Sequence, residues 1–229
     1  MNRRDAENDA LRTKALEVDR RLAGYFGNKL PRPSRDVMHE LIHAVLSQNT
    51  SRANYNRAYA SLMDEFPTLE ELARAPLGKI EVAIRPGGLS RQKSKAIKSI
   101  MAAIKEETGS YSLDFVSGMS VAAAREYLAL LPGVGPKTAS VVLMFALGRK
   151  VLPVDTHVLR TTRRIGLVDR QITAERAQEE LEELYPPAVR PRAHLNLVEL
   201  GREVCRARGP RHEACPLKTI CDAFRLGSI

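Results

Sequence analysis

Apolar residues recur at helical spacing along nearly the whole chain, and no stretch alternates apolar with polar in the manner of a half-buried strand. Val37, Leu41, Ile42, Val45 and Leu46 share one face of a helix that begins near Ser34. Thr68-Leu-Glu-Glu71 has the spacing of a capping box and opens another. Ile80, Val82 and Ile84 run into Pro86-Gly87-Gly88, which ends that segment. Further helices are read from 121 to 131 after Ser120, from 136 to 147 before Gly148, from 173 to 185 and from 192 to 202. The expected fold is all-α with short loops. No internal repeat, low-complexity tract or long linker marks a domain boundary.

A 44% hydrophobic fraction in 229 residues supports a packed core and argues against a disordered chain. No apolar run approaches the ~18 residues of a membrane span. The start, MNRRDAENDALRTK, lacks an apolar secretory segment, so an intracellular, cytoplasmic protein is expected, with its thiols reduced. A net charge of +9 and a pI of about 9.7 favour a polyanion, nucleic acid first and an anionic membrane second. A mere solubility charge is the plain alternative. No basic amphipathic helix with an aromatic face points to a membrane, and no membrane partner is expected.

The segment LPGVGPKTA, residues 131 to 139, joins two helices through Pro132-Gly133-Val134-Gly135. Two glycines two apart permit a tight turn and a close backbone approach to a ligand. Pro136 suits the first helical position. The exposed N–H groups would then receive an anion, and in a basic protein the natural one is a nucleic-acid phosphate. An ordinary glycine turn between packed helices is the alternative. Lys137 falls in the first turn of its helix, where the macrodipole disfavours a cation and makes a free amine easier to obtain. Such an amine can form a Schiff base. A normally charged phosphate-binding lysine is the simpler reading. In VLPVDTHVLR, Asp155 suits the N-cap of the helix carrying His157 and Arg160. A carboxylate brought opposite an amine would stabilise positive charge on a sugar while the amine attacks.

LPGVGPKTA followed by VDTH closely resembles the helix-hairpin-helix and catalytic aspartate of the endonuclease III family of DNA glycosylases. The order LSQNT, GGLSRQKSKA, hairpin, VDTH, HLNLVELGREVC and terminal cysteines also matches, over roughly residues 30 to 225. The resemblance implies two helical domains flanking a DNA-binding cleft: a six-helix barrel over 35–148, and a domain of 1–34 plus 149–229 that holds an iron–sulfur loop. It implies Lys137 as the Schiff-base nucleophile and Asp155 as the catalytic carboxylate. It implies DNA contacts from Gln48, Asn49, Leu89, Gly133, Gly135, Thr138 and Arg160. Asn49 stands at the position that enters the stack, where the family commonly has glutamine, and Leu89 at the second wedge position. A core leucine after a turn is the alternative for Leu89. The implied activity is removal of oxidised pyrimidines from duplex DNA, followed by β-elimination at the abasic site. The implied partner is double-stranded DNA with damaged bases or abasic sites, met by a monomer at the nucleoid if the source is bacterial.

All three cysteines lie between 205 and 221. The family's four-cysteine spacing, C-x6-C-x2-C-x5-C, is kept as Cys205, His212, Cys215 and Cys221, with histidine in the second place. By resemblance these residues hold a [4Fe–4S] cluster. A cluster on the three cysteines with an outside ligand, zinc on the Cys₃His set, and a metal-free loop are the alternatives. A non-catalytic or weakly active helix-hairpin-helix DNA-binding protein with a structural metal site is the competing function. An electron carrier is the third. Neither needs both Lys137 and Asp155.

Overall fold

Side-chain caps set where half of the helices begin. The computed structural model describes residues 3–31 and 36–227, so the expected start near Ser34 lies outside the described residues. In chain order the helices are α1 (Arg3–Phe26), α2 (Val37–Leu46), α3 (Arg52–Glu65), α4 (Leu69–Arg74), α5 (Leu77–Ala83), α6 (Ser90–Thr108), α7 (Val121–Leu130), α8 (Pro136–Phe145), α9 (Thr156–Ile165), α10 (Ala174–Leu184), α11 (Arg190–Glu203) and α12 (Asp222–Arg225). Asp36 caps α2 by accepting from the His39 N–H. Thr68 and Glu71 form the reciprocal capping box on α4. Ser120 and Thr173 cap α7 and α10. Each cap satisfies backbone donors that have no partner inside the helix. Short 3₁₀ turns complete the described residues, which contain no strand. The fold is all-α. Among the described residues no helix is long and apolar enough to cross a membrane.

The chain divides into two compact units, residues 33–149 and residues 1–32 with 150–229. The internal unit contains α2 to α8. Its core holds Leu41, Ile42, Leu46, Leu62, Leu72, Ile80, Ile97, Ile100, Leu128 and Val142, all with no exposed surface. Val82 breaks the apolar pattern of α5 and is 59% exposed. A helix turns about 100° per residue, so residue 82 faces away from 80 and 84.

The discontinuous unit joins α1 to α9–α12. Ala15, Val18 and Leu22 of α1 pack into one cluster with Val158, Leu181, Leu197 and Leu200. Asp19, 4% exposed, accepts from Arg192 Nε at 3.0 Å and ties α1 to α11. Where α11 crosses α9, a Cβ on Gly201 would lie 2.8 Å from the His157 Cβ, so glycine permits the approach.

Candidate active site and metal loop

Three turns of the internal unit lie together. The hairpin between α7 and α8 turns at Gly133, whose φ of 75 is open to glycine but strained for other residues. A Cβ there would also stand 3.3 Å from the Ala96 Cβ of α6. Gly135 has an ordinary φ of −97 as the N-cap of α8, and open space surrounds the place of its missing Cβ. Gly133 therefore serves the turn, and Gly135 leaves room. Pro136 takes the first helical position and Lys137 the second, half-buried in the first turn.

Gln48, just after α2, faces this hairpin. Its Nε2 donates to Gly133 O at 3.2 Å and to Thr138 Oγ1 at 3.3 Å. Thr138 is itself 5% exposed, so both residues brace the hairpin from within. Asn49 follows, exposed, with a φ of 52. Leu89 precedes α6 with a φ of 50 and is 51% exposed. That exposure removes the core-leucine alternative. Leu89, Ser90, Arg91, Gln92 and Lys95 line an open hollow of about 560 Å³. Exposed leucine beside cationic side chains suits a surface that meets both bases and phosphates.

In the other unit Asp155 is the N-cap of α9. Its Oδ1 accepts from the N–H groups of His157 at 2.9 Å and Val158 at 2.8 Å. The cap uses one carboxylate oxygen and fixes the orientation of the group. Arg160 donates from Nε to Cys205 O at 3.1 Å and from Nη2 to Gly201 O at 2.7 Å. Its guanidinium thus knits α9 to α11 and to the loop beyond. Burial lowers the pKa of the neighbouring His157, with Arg160 and Arg202 acting in the same sense against Asp155. A neutral His157 Nδ1 accepts from Arg160 Nη2 at 3.2 Å.

The cysteine loop follows α11. Cys205 and Cys215 are half-buried and Cys221 is buried. Burial pushes the Cys215 thiol up, opposed by a backbone N–H at Leu217, and the Cys205 and Cys221 sulfurs add to the rise. Burial likewise raises Cys221, with Cys205 contributing. The three thiols therefore share one neighbourhood. The His212 ring rests against Phe224, centroids 5.2 Å apart, and Lys218 Nζ lies 5.2 Å from the centroid of that phenyl ring. Among the described residues no three His, Cys, Asp or Glu side chains gather tightly enough to hold a single metal ion.

Two residues were missed from sequence. Arg164 donates to Cys205 Sγ at 3.4 Å and to Arg206 O at 2.7 Å, while Cys221 Sγ donates to Arg164 O at 3.2 Å. Nothing in its sequence context marks it. Lys93 is 3% exposed, and its signal was legible: a lysine on the apolar stripe of Ile97, Ile100, Met101 and Ile104.

Residues 42–187 match the family described as HhH-GPD superfamily base excision DNA repair protein. Endonuclease III of Thermotoga maritima is 35% identical over 190 residues, covering 83% of this chain and 84% of its own. Endonuclease III of Bacillus subtilis is 32% identical, covering 85% and 87%. A candidate DNA glycosylase of Arabidopsis thaliana is 41% identical over 140 residues, which are 61% of this chain and 47% of that longer protein. A non-covalent complex of endonuclease III with DNA superimposes with a TM-score of 0.81 at 26% identity, covering 95% and 98%. A trapped covalent endonuclease III–DNA intermediate gives 0.80 at 26%, covering 95% and 99%. The helix-hairpin-helix, the VDTH cap and the sequence match across most of the chain have one common source: the chain belongs to the endonuclease III family of HhH-GPD base excision DNA repair proteins.

Proposed function

We propose that the protein is a bifunctional DNA glycosylase and abasic-site lyase that removes oxidised pyrimidines from duplex DNA. The observation that carries this reading is Lys137, half-buried in the first turn of α8 directly after the hairpin. The trapped covalent intermediate of its structural relative supports a covalent route. A phosphate at the hairpin N–H groups positions the strand, and the damaged nucleotide leaves the stack. The Lys137 amine attacks C1′ of the sugar. The bond from C1′ to the base breaks, and the base departs with the electron pair and takes a proton. Asp155 stabilises the positive charge that develops on the sugar. Loss of the amine proton and opening of the ring leave a Schiff base on Nζ. Removal of a C2′ proton then expels the 3′ phosphate, and water releases Lys137 from the imine. Asn49 and Leu89 fill the space left in the stack, and Arg91 and Lys95 meet phosphates nearby.

Cys205, Cys215 and Cys221, with His212 at the second place of the motif, would hold a [4Fe–4S] cluster. The mutual influence of the three thiols supports a shared metal centre, and the kept four-place spacing favours a cluster over zinc. When bound, the cluster supplies a rigid anchor for a basic loop. The enzyme acts as a monomer in the cytoplasm, at the nucleoid in a bacterium.

Borohydride trapping on a duplex with one abasic site tests the reading. Wild type should give a covalent protein–DNA adduct, and Lys137→Ala should give none while still binding the duplex. A folded, DNA-binding wild type that yields no adduct would overturn the lyase assignment.

A further inference from the structure

Lys93 occupies a place where the stripe of α6 calls for an aliphatic side chain. Its ammonium donates to Leu46 O at 2.7 Å and to Gly87 O at 3.0 Å. Burial lowers its pKa, and its hydrogen-bond partners are two backbone carbonyls. Burying a cation is costly, and a methionine would fill the same stripe without that cost. A second cost lies alongside. Asn49 and Leu89 are the two non-glycine residues with positive φ among the described residues, and a left-handed leucine is strained.

The two costs meet in one place. Leu46 ends α2 three residues before Asn49, and Gly87 stands two residues before Leu89. One ammonium therefore ties the carbonyl that leads into each strained turn. Its donors are arranged tetrahedrally and can serve two carbonyls from different segments. A carbonyl at a helix C-terminus also carries the negative end of the dipole, which favours a cation. We propose that Lys93 is a positioning residue that sets the two left-handed turns against each other, so that Asn49 and Leu89 enter the DNA stack as a pair. This inference rests on the reading of those two residues as the ones that fill the stack.

The test uses a duplex in which 2-aminopurine flanks an abasic site, and reads the fluorescence change when the full-length protein saturates it. Leu89→Ala should lose most of the change. Lys93→Met should lose it by about fivefold with duplex Kd within about threefold of wild type, and adding Lys93→Met to Leu89→Ala should cause little further loss, because residues acting as one unit are not additive. A full signal from Lys93→Met overturns the inference, as does a loss that multiplies with that of Leu89→Ala. If Lys93→Met does not fold, Lys93→Gln, which is uncharged and one atom shorter and so is expected to hold the two carbonyls less well, carries the same comparison with a smaller loss. If Leu89→Ala itself keeps the wild-type signal, the stack-filling reading fails and the Lys93 inference falls with it. A normal Leu89→Ala loss with an unaffected Lys93→Met removes the Lys93 inference alone.

Discussion

Gly166→Ala probes the joint between α9 and α12, just after the cysteine loop. Gly166 ends α9 with a φ of 83, and a Cβ there would stand 1.9 Å from Asp222 Oδ2 and 2.7 Å from its Cγ. Asp222 Oδ1 also accepts from Lys14 Nζ at 2.8 Å, with 40% of the aspartate side chain exposed. An alanine would add left-handed strain of about 1 kcal/mol. It would also push Asp222 off Lys14, a half-exposed pair whose loss costs about 0.5–1 kcal/mol. Adjustment of α12 against α9 adds about 1 kcal/mol. The sum is about 2.5–3 kcal/mol, which in a chain of this size lowers the Tm by roughly 5–12 °C. Urea and thermal unfolding of wild type, Gly166→Ala, Asp222→Ala and the double variant provide the assay. Removing the Asp222 carboxylate relieves the clash, so the double variant should be less destabilised than the sum of the singles by about 1 kcal/mol. A Gly166→Ala cost under about 1 kcal/mol, or strict additivity, would refute the reasoning.

Three further outcomes are expected. His157 is kept neutral by burial, so its contribution is present above its ordinary pKa of 6.5 and is lost as the pH falls through its lower folded value. Unfolding free energy measured from pH 7.5 downward should therefore start to decline near pH 6.5 and level off below the lower folded value, and His157→Gln should flatten the decline. Gln48→Ala removes two neutral hydrogen bonds to the hairpin, about 2 kcal/mol together, and should weaken duplex binding in a fluorescence anisotropy titration. In anaerobically purified protein, His212→Ala should lower iron and sulfide per chain and change the visible absorption. Unchanged content and spectrum would exclude the imidazole as a ligand.

Local chemistry that recurs at fixed offsets was legible in the sequence. The box at Thr68 and Glu71, the Ser120 cap, Pro136 opening α8 and Asp155 capping α9 each follow from a side chain reaching a backbone N–H a few residues on. Properties set by tertiary packing were not. Leucine carries no signal for a left-handed turn, so the conformation of Leu89 came from its surroundings. Arg160 is expected at the DNA, but its spacing could not show that its Nε and Nη2 also donate to Cys205 O and Gly201 O, more than forty residues on. The spacing of the cysteine loop placed His212 in order, but could not show its ring lying on Phe224. Gln48 and Thr138 looked like two separate contacts, and a single side-chain hydrogen bond makes them one brace.

The discontinuity of one unit bears on how the chain is made. On a ribosome, residues 33–149 emerge as a closed set whose core partners are all present once Arg149 is out. Helix α1 has been synthesised long before, but Ala15, Val18 and Leu22 have no α11 to cover them until synthesis passes Leu200. Closing that span, from Asp19 to Arg192, adds only a logarithmic entropy cost, since loop closure grows slowly with length. The wait itself is the exposure: an uncovered amphipathic helix is a target for chaperones and for neighbouring nascent chains. The three cysteines follow α11 in the chain, so on the proposed reading metal loading at that loop comes after α1 has been covered.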